Sequence, residues 1–256
     1  MTDERFAPED LSHDRFLGGR LTLAQPRRGY RAGIDPVLLA ASVPARPDER
    51  VLELGSGVGT ALFCLAARVS GLSLTGVERA PAYAALARDN AAANGIAARI
   101  VTADLAALPA ELRQESFDHV LANPPYFDPA ASSAASDPGR EAGRSEETPL
   151  ALWIEVAARR LRPGGRLTLI HRAERLPQIL AALSDRLGAI CVQPLAPREG
   201  REARLVLVRA AKGGRAPFRL LDPIRLHKGR AHLRDEDDYA PEIARVLRDG
   251  EALSFG

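Results

Sequence analysis

From residue 50 onward the chain alternates short β-branched runs with longer helical stretches, which leaves little freedom of architecture. Arg50–Leu54 (RVLEL) reads as a strand, residues 55–59 as a glycine turn and 60–69 as a helix. Residues 72–78 form a second strand, then a helix over Pro81–Ala93 opens on proline and exits at Asn94-Gly95. Residues 99–104 and Phe117–Ala122 are two further strands. A helix over 150–161 stops at Arg162-Pro163-Gly164-Gly165, and 166–171 is again a strand. A helix over 173–187 and strands over 189–194 and 204–210 close the series. Strands alternating with helices predict an α/β fold with a mostly parallel sheet and helices on both faces. The final pair is joined by a short polar loop, 196–202. It must be antiparallel, because a parallel crossover needs a longer connection.

The flanks are simpler. Residues 15–24 predict an N-terminal hairpin around Gly18-Gly19, and 35–43 a short helix with Asp35 as cap and Pro36 at its first position. Residues 217–234 read as irregular and basic, and 241–248 as a short helix. The predicted organisation is one domain over 1–256, with hairpin and helix in 1–49, core in 50–211 and a basic extension in 212–256. Residues 127–148 stand apart as a long loop rich in Pro, Gly and Ser, and loops of that length in compact domains are usually functional or disordered.

Composition excludes several classes. At 46% hydrophobic and 27% charged residues the chain matches ordinary globular proteins and has no run long enough to span a membrane. The N-terminal segment is charged and lacks the apolar core of a secretory signal. Cys64 and Cys191, each in an apolar run, read as buried thiols in a reducing cytoplasm. His171, His227 and His232 show no metal-ligand spacing, so no metal is expected.

Three strand ends carry the chemistry. Glu53-Leu54-Gly55-Ser56-Gly57-Val58-Gly59 puts glycines where the chain turns from strand to helix, letting the backbone approach a ligand at a helix N-terminus. The dinucleotide fingerprint would need glycine at position 60, where Thr60 stands. Glu78 ends the second strand, where a carboxylate commonly accepts both ribose hydroxyls. Asp104 ends the third and could take the exocyclic amine of an adenine. Each of these acids, and Asp35, reads equally well as a helix cap.

At the end of the fourth strand stands Asn123-Pro124-Pro125-Tyr126. Two prolines cannot extend a central strand, so the chain leaves the sheet in a rigid, extended form. The Asn123 side-chain oxygen and the Pro124 carbonyl could accept both hydrogens of an amine conjugated with a π-system. They would polarise its nitrogen toward tetrahedral geometry, a preorganised electrostatic effect. Tyr126 could stack on a planar base or amide, as in enzymes that flip a base.

The strand ends ELGSGVG, GVE and ADL together resemble those of class I S-adenosylmethionine-dependent methyltransferases over residues 50–210. That resemblance implies a Rossmann-like, seven-stranded, mostly parallel sheet with its last strand antiparallel, and S-adenosylmethionine as cofactor. It sets the cofactor against Gly33, Asp35, Glu53, Gly55, Ser56, Gly57, Gly59, Glu78, Arg79, Asp104, Leu105 and Asn123. N-P-P-Y in this position is similar to that of amino-methyltransferases modifying adenine N6, glutamine N5 or guanine N2, and implies that Asn123, Pro124, Pro125 and Tyr126 are catalytic. Residues 29–39 (GYRAGIDPVLL), Arg144-Ser145-Glu146 and 239–243 (YAPEI) resemble the bacterial tRNA(Val)-type adenine-N6 methyltransferase family over nearly the whole chain. Ile34-Asp35-Pro36 and Tyr239-Ala240-Pro241 depart from the threonine-containing versions usual in that family. The implied substrate is tRNA, modified next to the anticodon. Two rivals stay open: glutamine-N5 transfer to a protein such as a release factor, and a non-catalytic RNA-binding module of the same fold.

A tRNA substrate needs a basic surface, and the net charge is only +2. From Arg198 to Arg234, however, eleven Lys/Arg stand against three acids, a local +8 that leaves −6 for the remainder. Lys212, Arg215, Arg225, Lys228 and Arg230, with Arg209, are the expected phosphate-binding residues, extended by Arg27, Arg28 and Arg31.

Overall fold

The computed structural model describes residues 5–126, 148–230 and 238–255. Apart from Thr148, the expected long loop with Arg144, Ser145 and Glu146 lies outside the described residues, as do His232 and Arg234. The N-terminal hairpin is β1 (Leu11–Phe16) and β2 (Leu21–Pro26), antiparallel, with its turn at Gly18-Gly19 as expected but its strands longer. Helix α1 (Asp35–Ser42) follows. The core then runs β3 (Arg50–Leu54), α2 (Thr60–Arg68), β4 (Ser73–Glu78), α3 (Pro81–Ala93), β5 (Ala98–Thr102), α4 (Ala110–Gln114) and β6 (Phe117–Ala122). It continues through α5 (Leu150–Arg160), β7 (Leu161–Arg172), α6 (Leu176–Leu183), β8 (Gly188–Ala196) and β9 (Leu205–Ala211). Two short strands, β10 (Arg219–Leu220) and β11 (Ile224–Arg225), and helix α7 (Pro241–Asp249) end the chain.

The seven core strands lie in the order β8-β9-β7-β6-β3-β4-β5, all parallel except β9, which is antiparallel to both neighbours. The last strand is therefore the reversed one, and it inserts between β7 and β8. Central strands are covered on both faces and so read as continuous apolar runs. In β3, Val51 faces a core built with α1, α2, α3, α7 and the hairpin, while Leu52 and Leu54 face a second core built with α4, α5 and α6. Cys64 and Cys191 are buried free thiols.

Three expectations need correction. Residues 217–234 are not wholly irregular: β10 and β11 both pair in parallel with β8, extending the sheet to nine strands. The helix expected over 173–187 is a 3-10 turn at Ala173–Arg175 followed by the shorter α6, because Pro177 sits in the first turn and sets a new helix start. Asp35 does not cap α1. Ile34 holds the cap position without a side-chain bond, and the Asp35 carboxylate is used elsewhere.

Position in the sheet locates the site. Successive units build outward from β3 through β4 to β5, and the chain then returns to lay β6 and β7 on the other side. The strand order therefore reverses between β3 and β6, and in open α/β sheets the crevice outside the carboxyl ends at such a point holds the ligand.

Candidate active site

A cavity of about 720 Å³ opens at this switch point, within the usual range for small-molecule sites. One side of it is the glycine turn. Gly55 has φ +65°, and a Cβ there would run into the Trp153 ring of α5. Gly59 has φ +90°, and a Cβ there would strike Phe63. Only glycine satisfies both the backbone angle and the space at these two positions. The turn is tied to β4 by two bonds: Ser56 N–H donates to the Val77 carbonyl at 2.9 Å, and Gly57 N–H donates to Glu78 Oε2 at 2.8 Å. Glu78 Oε1 accepts Ala80 N–H at 2.8 Å. Each oxygen of this cavity-lining carboxylate keeps a lone pair for a ligand hydroxyl.

Loop 29–33 closes over the same side. Tyr83 Oη, from α3, accepts Tyr30 N–H at 2.9 Å and donates to the Tyr30 carbonyl at 3.2 Å. The Tyr30 side chain is 46% exposed, yet its hydroxyl faces inward and accepts a long bond from Asn123 Nδ2 at 3.5 Å. Desolvation, with the charges of Glu53, Asp35 and Glu78, pushes the Tyr30 pKa up, so the phenol stays protonated.

The other side comes from β6 and β7. Asn123 leaves β6 with its side-chain Oδ1 buried and, among the described residues, without a hydrogen-bond partner. Such an oxygen is costly unless something donates to it. Pro124 is buried and Pro125 exposed. Tyr126 Oη donates to Asp35 Oδ2 at 2.6 Å, bridging 91 residues of sequence, and desolvation with the Asp35 charge pushes the Tyr126 pKa up. Because β7 lies beside β6, His171 and Arg172 fall next to this motif. The Tyr126 and His171 rings lie 5.2 Å apart at 60°, and the Arg172 guanidinium is 5.8 Å from the Tyr126 ring centre. His171 is fully buried, and burial first, with Arg175 and Arg172 adding, lowers its pKa to about 4. Its Nδ1 accepts Arg172 N–H at 2.8 Å, which puts the ring proton on Nε2. Nε2 closes no hydrogen bond of good geometry, although the Pro125 carbonyl is near enough to hold the pKa up a little.

Of the residues expected to hold cofactor, Gly33, Asp35, Gly55, Gly57, Glu78, Arg79, Leu105 and Asn123 line the cavity, as do Pro124, Pro125 and Tyr126. Glu53, Ser56, Gly59 and Asp104 do not. Glu53 Oε2 instead accepts Leu62 N–H at 3.0 Å in the first turn of α2, and burial, with the nearby Glu78 charge, pushes its pKa up to about 8. Ser56 is buried against Gly76, Gly59 caps α2, and Asp104 Oδ1 accepts Ala106 N–H at 2.8 Å to cap a 3-10 turn. Tyr83, Trp153 and Arg172, and Tyr30 from the 29–39 motif, also line the cavity without being among the expected site residues. Trp153 is the only tryptophan of the chain, the one signal that could have pointed to it.

The expected RNA-binding residues do not form one surface. Arg225, Lys228 and Arg230 follow the carboxyl end of β8, on the same edge as the cavity. Lys212 and Arg215 follow β9, whose reversed direction carries them to the opposite edge. There Lys212 exchanges backbone bonds with Gly164 and Gly165 at 2.9 Å, and its Nζ donates to the Leu161 carbonyl at 2.8 Å. Arg209 is turned inward, its guanidinium 4.1 Å from the Phe255 ring centre and bonded to the Ser42 and Phe255 carbonyls. Arg31 is held by Asp14, Ser12 and the Pro26 carbonyl, and it also lines the cavity. Arg27 Nε donates to the Glu9 carbonyl at 3.1 Å, and Arg28 is exposed.

A parallel sheet with one reversed strand, a glycine turn tied to a carboxylate and an open cavity at the switch point define a class I S-adenosylmethionine-dependent methyltransferase. The chain belongs to the methyltransferase small domain family, whose model matches residues 32–192. A Dickeya chrysanthemi protein named tRNA1(Val) (adenine(37)-N6)-methyltransferase is 30% identical over 254 residues, covering 97% of this chain and 98% of that protein. A Porphyromonas gingivalis protein of the same name is 32% identical, covering 94% and 96%. Among solved structures, a predicted O-methyltransferase from Agrobacterium tumefaciens, Atu636, superposes with TM-score 0.69 at 28% identity, covering 86% of this chain and 98% of that one. The Thermus thermophilus 16S rRNA N2 G1207 methyltransferase, solved with AdoMet and guanosine, shares the fold at TM-score 0.56 and 24% identity, over 79% of this chain and 50% of that one. Among the described residues no helix is long and apolar enough to cross a membrane.

Proposed function

We propose that the protein transfers a methyl group from S-adenosylmethionine to the exocyclic N6 amine of an adenine in tRNA, at position 37 beside the anticodon, in the cytoplasm. The reading rests on one observation above the rest: a buried side-chain oxygen of Asn123 with no donor, next to two rigid prolines and an aromatic ring in an open cavity. The residues also fit the cofactor. Gly55 and Gly57 offer backbone without side chains, Glu78 would accept the ribose hydroxyls, and Val77 and Leu105 give apolar wall to the adenine. When bound, S-adenosylmethionine supplies a methyl carbon made electrophilic by its sulfonium.

The chain's own groups then do three things. Asn123 Oδ1 and the Pro124 carbonyl accept the two amine hydrogens, turning the nitrogen lone pair out of conjugation and toward the methyl carbon. They hold that geometry while the N–C bond forms and the C–S electron pair leaves to sulfur. Tyr126, fixed by Asp35 and by the His171 ring and Arg172 guanidinium beside it, supports the face of the flipped base. No strong base is required, since the nitrogen proton becomes acidic only after the methyl is attached and then passes to water. A hydroxyl acceptor would offer one hydrogen to two fixed acceptors, so an amine fits better.

The test is methyl-labelled cofactor with tRNA from cells lacking the modification, run beside a release factor. Label is expected in tRNA. Label in the release factor and none in RNA would overturn the reading in favour of glutamine transfer.

A further inference from the structure

The sequence places eleven cations in one stretch, but the sheet sorts them, and the sorting selects a path for the nucleic acid. Moving outward from Asn123 at the end of β6, the next elements at the carboxyl edge are the end of β7, the start of β9, the end of β8 and the end of β11. Neighbouring strands lie about 4.8 Å apart, so these ends form a line reaching roughly 20 Å from the acceptor motif. Each carries exposed cations: Arg172 at the end of β7, Arg204 before β9, Arg201 in the loop between β8 and β9, and Lys228 just past β11. None of these four makes an ion pair among the described residues. Their neighbours Arg198, Arg225 and Arg230 are matched by Asp238, Asp222 and Glu199. Among the described residues the remaining exposed acids beside these four cations are Glu174 and Glu202, which leaves the line positive. Arg172 is also the link to the cavity, which it lines, with its guanidinium over Tyr126.

We propose that the RNA backbone enters along this line, with Arg172 receiving a phosphate of the flipped nucleotide and Arg204, Arg201 and Lys228 receiving those that follow. The Lys212–Arg215 corner, about one strand length or roughly 20 Å away across β9, takes no part. A flexible polyanion is the occupant that suits such a line, since exposed cations that no carboxylate satisfies are matched by phosphates spaced along one chain. The inference rests on the RNA reading above and adds the face and the direction.

The experiment measures the affinity of the full-length protein for unmodified tRNA as a function of salt. The variants are Arg201→Ala/Arg204→Ala/Lys228→Ala, Arg172→Ala and Lys212→Ala/Arg215→Ala, with cofactor titration as the check on folding. Each lost phosphate contact should flatten the log–log salt slope by about 0.7–0.9. The triple variant should therefore lose about two to three units of slope and at least tenfold in affinity near physiological salt. Arg172→Ala should lose about one unit and raise the KM for tRNA, leaving the affinity for S-adenosylmethionine within about threefold. The Lys212/Arg215 variant should bind within about twofold of the unaltered protein. If that variant weakens binding while the triple variant does not, or if neither does, the path is wrong although the methylation reading stands. If the unaltered protein neither binds nor methylates tRNA, the functional reading fails, and this inference with it.

Discussion

The two sides of the cavity are built on opposite principles. On the β3–β4 side the cavity-lining Glu78 and Tyr30 are already engaged by the protein: both oxygens of Glu78 accept backbone N–H groups, and Tyr83 clamps the Tyr30 backbone in both directions. Ser56 Oγ and Thr60 Oγ1, partnerless among the described residues, lie behind the turn, outside the cavity wall. On the β6–β7 side, Asn123 Oδ1 is buried without a donor and His171 Nε2 lacks a bond of good geometry. An engaged side is a preformed mould, and an unsatisfied one stores a preference for whatever brings the missing partner, a donor in the case of Asn123 Oδ1. The difference suits a site where one half holds a resident cofactor and the other recognises an acceptor that arrives and leaves.

Substitutions should separate the halves. The largest effect is expected from Asn123→Ala. Single-turnover transfer to tRNA at saturating cofactor should fall about 10²–10³-fold, as for loss of one preorganised partner to a transition state, while cofactor affinity changes far less. Equal losses in both would mean that the halves are one. Glu78→Ala should do the reverse, weakening S-adenosylmethionine about 10–100-fold by calorimetry, as expected when hydrogen bonds to a charged group are lost.

Among the buried titratable groups, Glu53 on one side and His171 on the other respond to pH with opposite sign. Glu53 ionises near 4.5 when unfolded and near 8 when folded. Between those values the unfolded chain binds fewer protons, so stability falls as pH rises. His171 protonates near 6.5 unfolded and near 4 folded, so over that range stability falls as pH drops. Thermal melts of Glu53→Gln should flatten the alkaline limb, and those of His171→Gln the acid limb, each by on the order of a few kcal/mol at the far end of its window. A Glu53→Gln profile unchanged between pH 5 and about 8 would show that burial of this carboxyl carries no cost. The smallest effect is expected for Tyr126→Phe. It removes one hydrogen bond to Asp35 and should lower kcat by about threefold to tenfold without changing cofactor binding.

Much of this was legible in the sequence, for a physical reason. The glycine turn and Asn-Pro-Pro-Tyr are local: their backbone demands are met by residues adjacent in the chain, so they can be read without knowing the fold. The alternation of elements predicted the sheet, and the short loop after β8 predicted the reversed strand. What escaped reading depends on which strands become neighbours. Arg172 reaches Tyr126 only because β7 lies beside β6, and Trp153 closes on Gly55 only because α5 packs over the turn. Asp35 has the position of a helix cap, yet its carboxylate goes to a tyrosine 91 residues away. Lys212 and Lys228 look like parts of one basic strip, but the reversal of β9 puts them on opposite edges. Glu53 and Asp104 carry acids at strand ends as expected, and spend them on backbone N–H groups of the following turns.

A planar amine held by Asn123 and Pro124 is the central feature of the proposed reaction, and the product nucleoside reports on it directly. Mass spectrometry of nucleosides from tRNA methylated by the protein should show N6-methyladenosine at a single site and none with Asn123→Ala. A methylated guanosine or a ribose-methylated nucleoside as the product, or N6-methyladenosine undiminished in the variant, would contradict it.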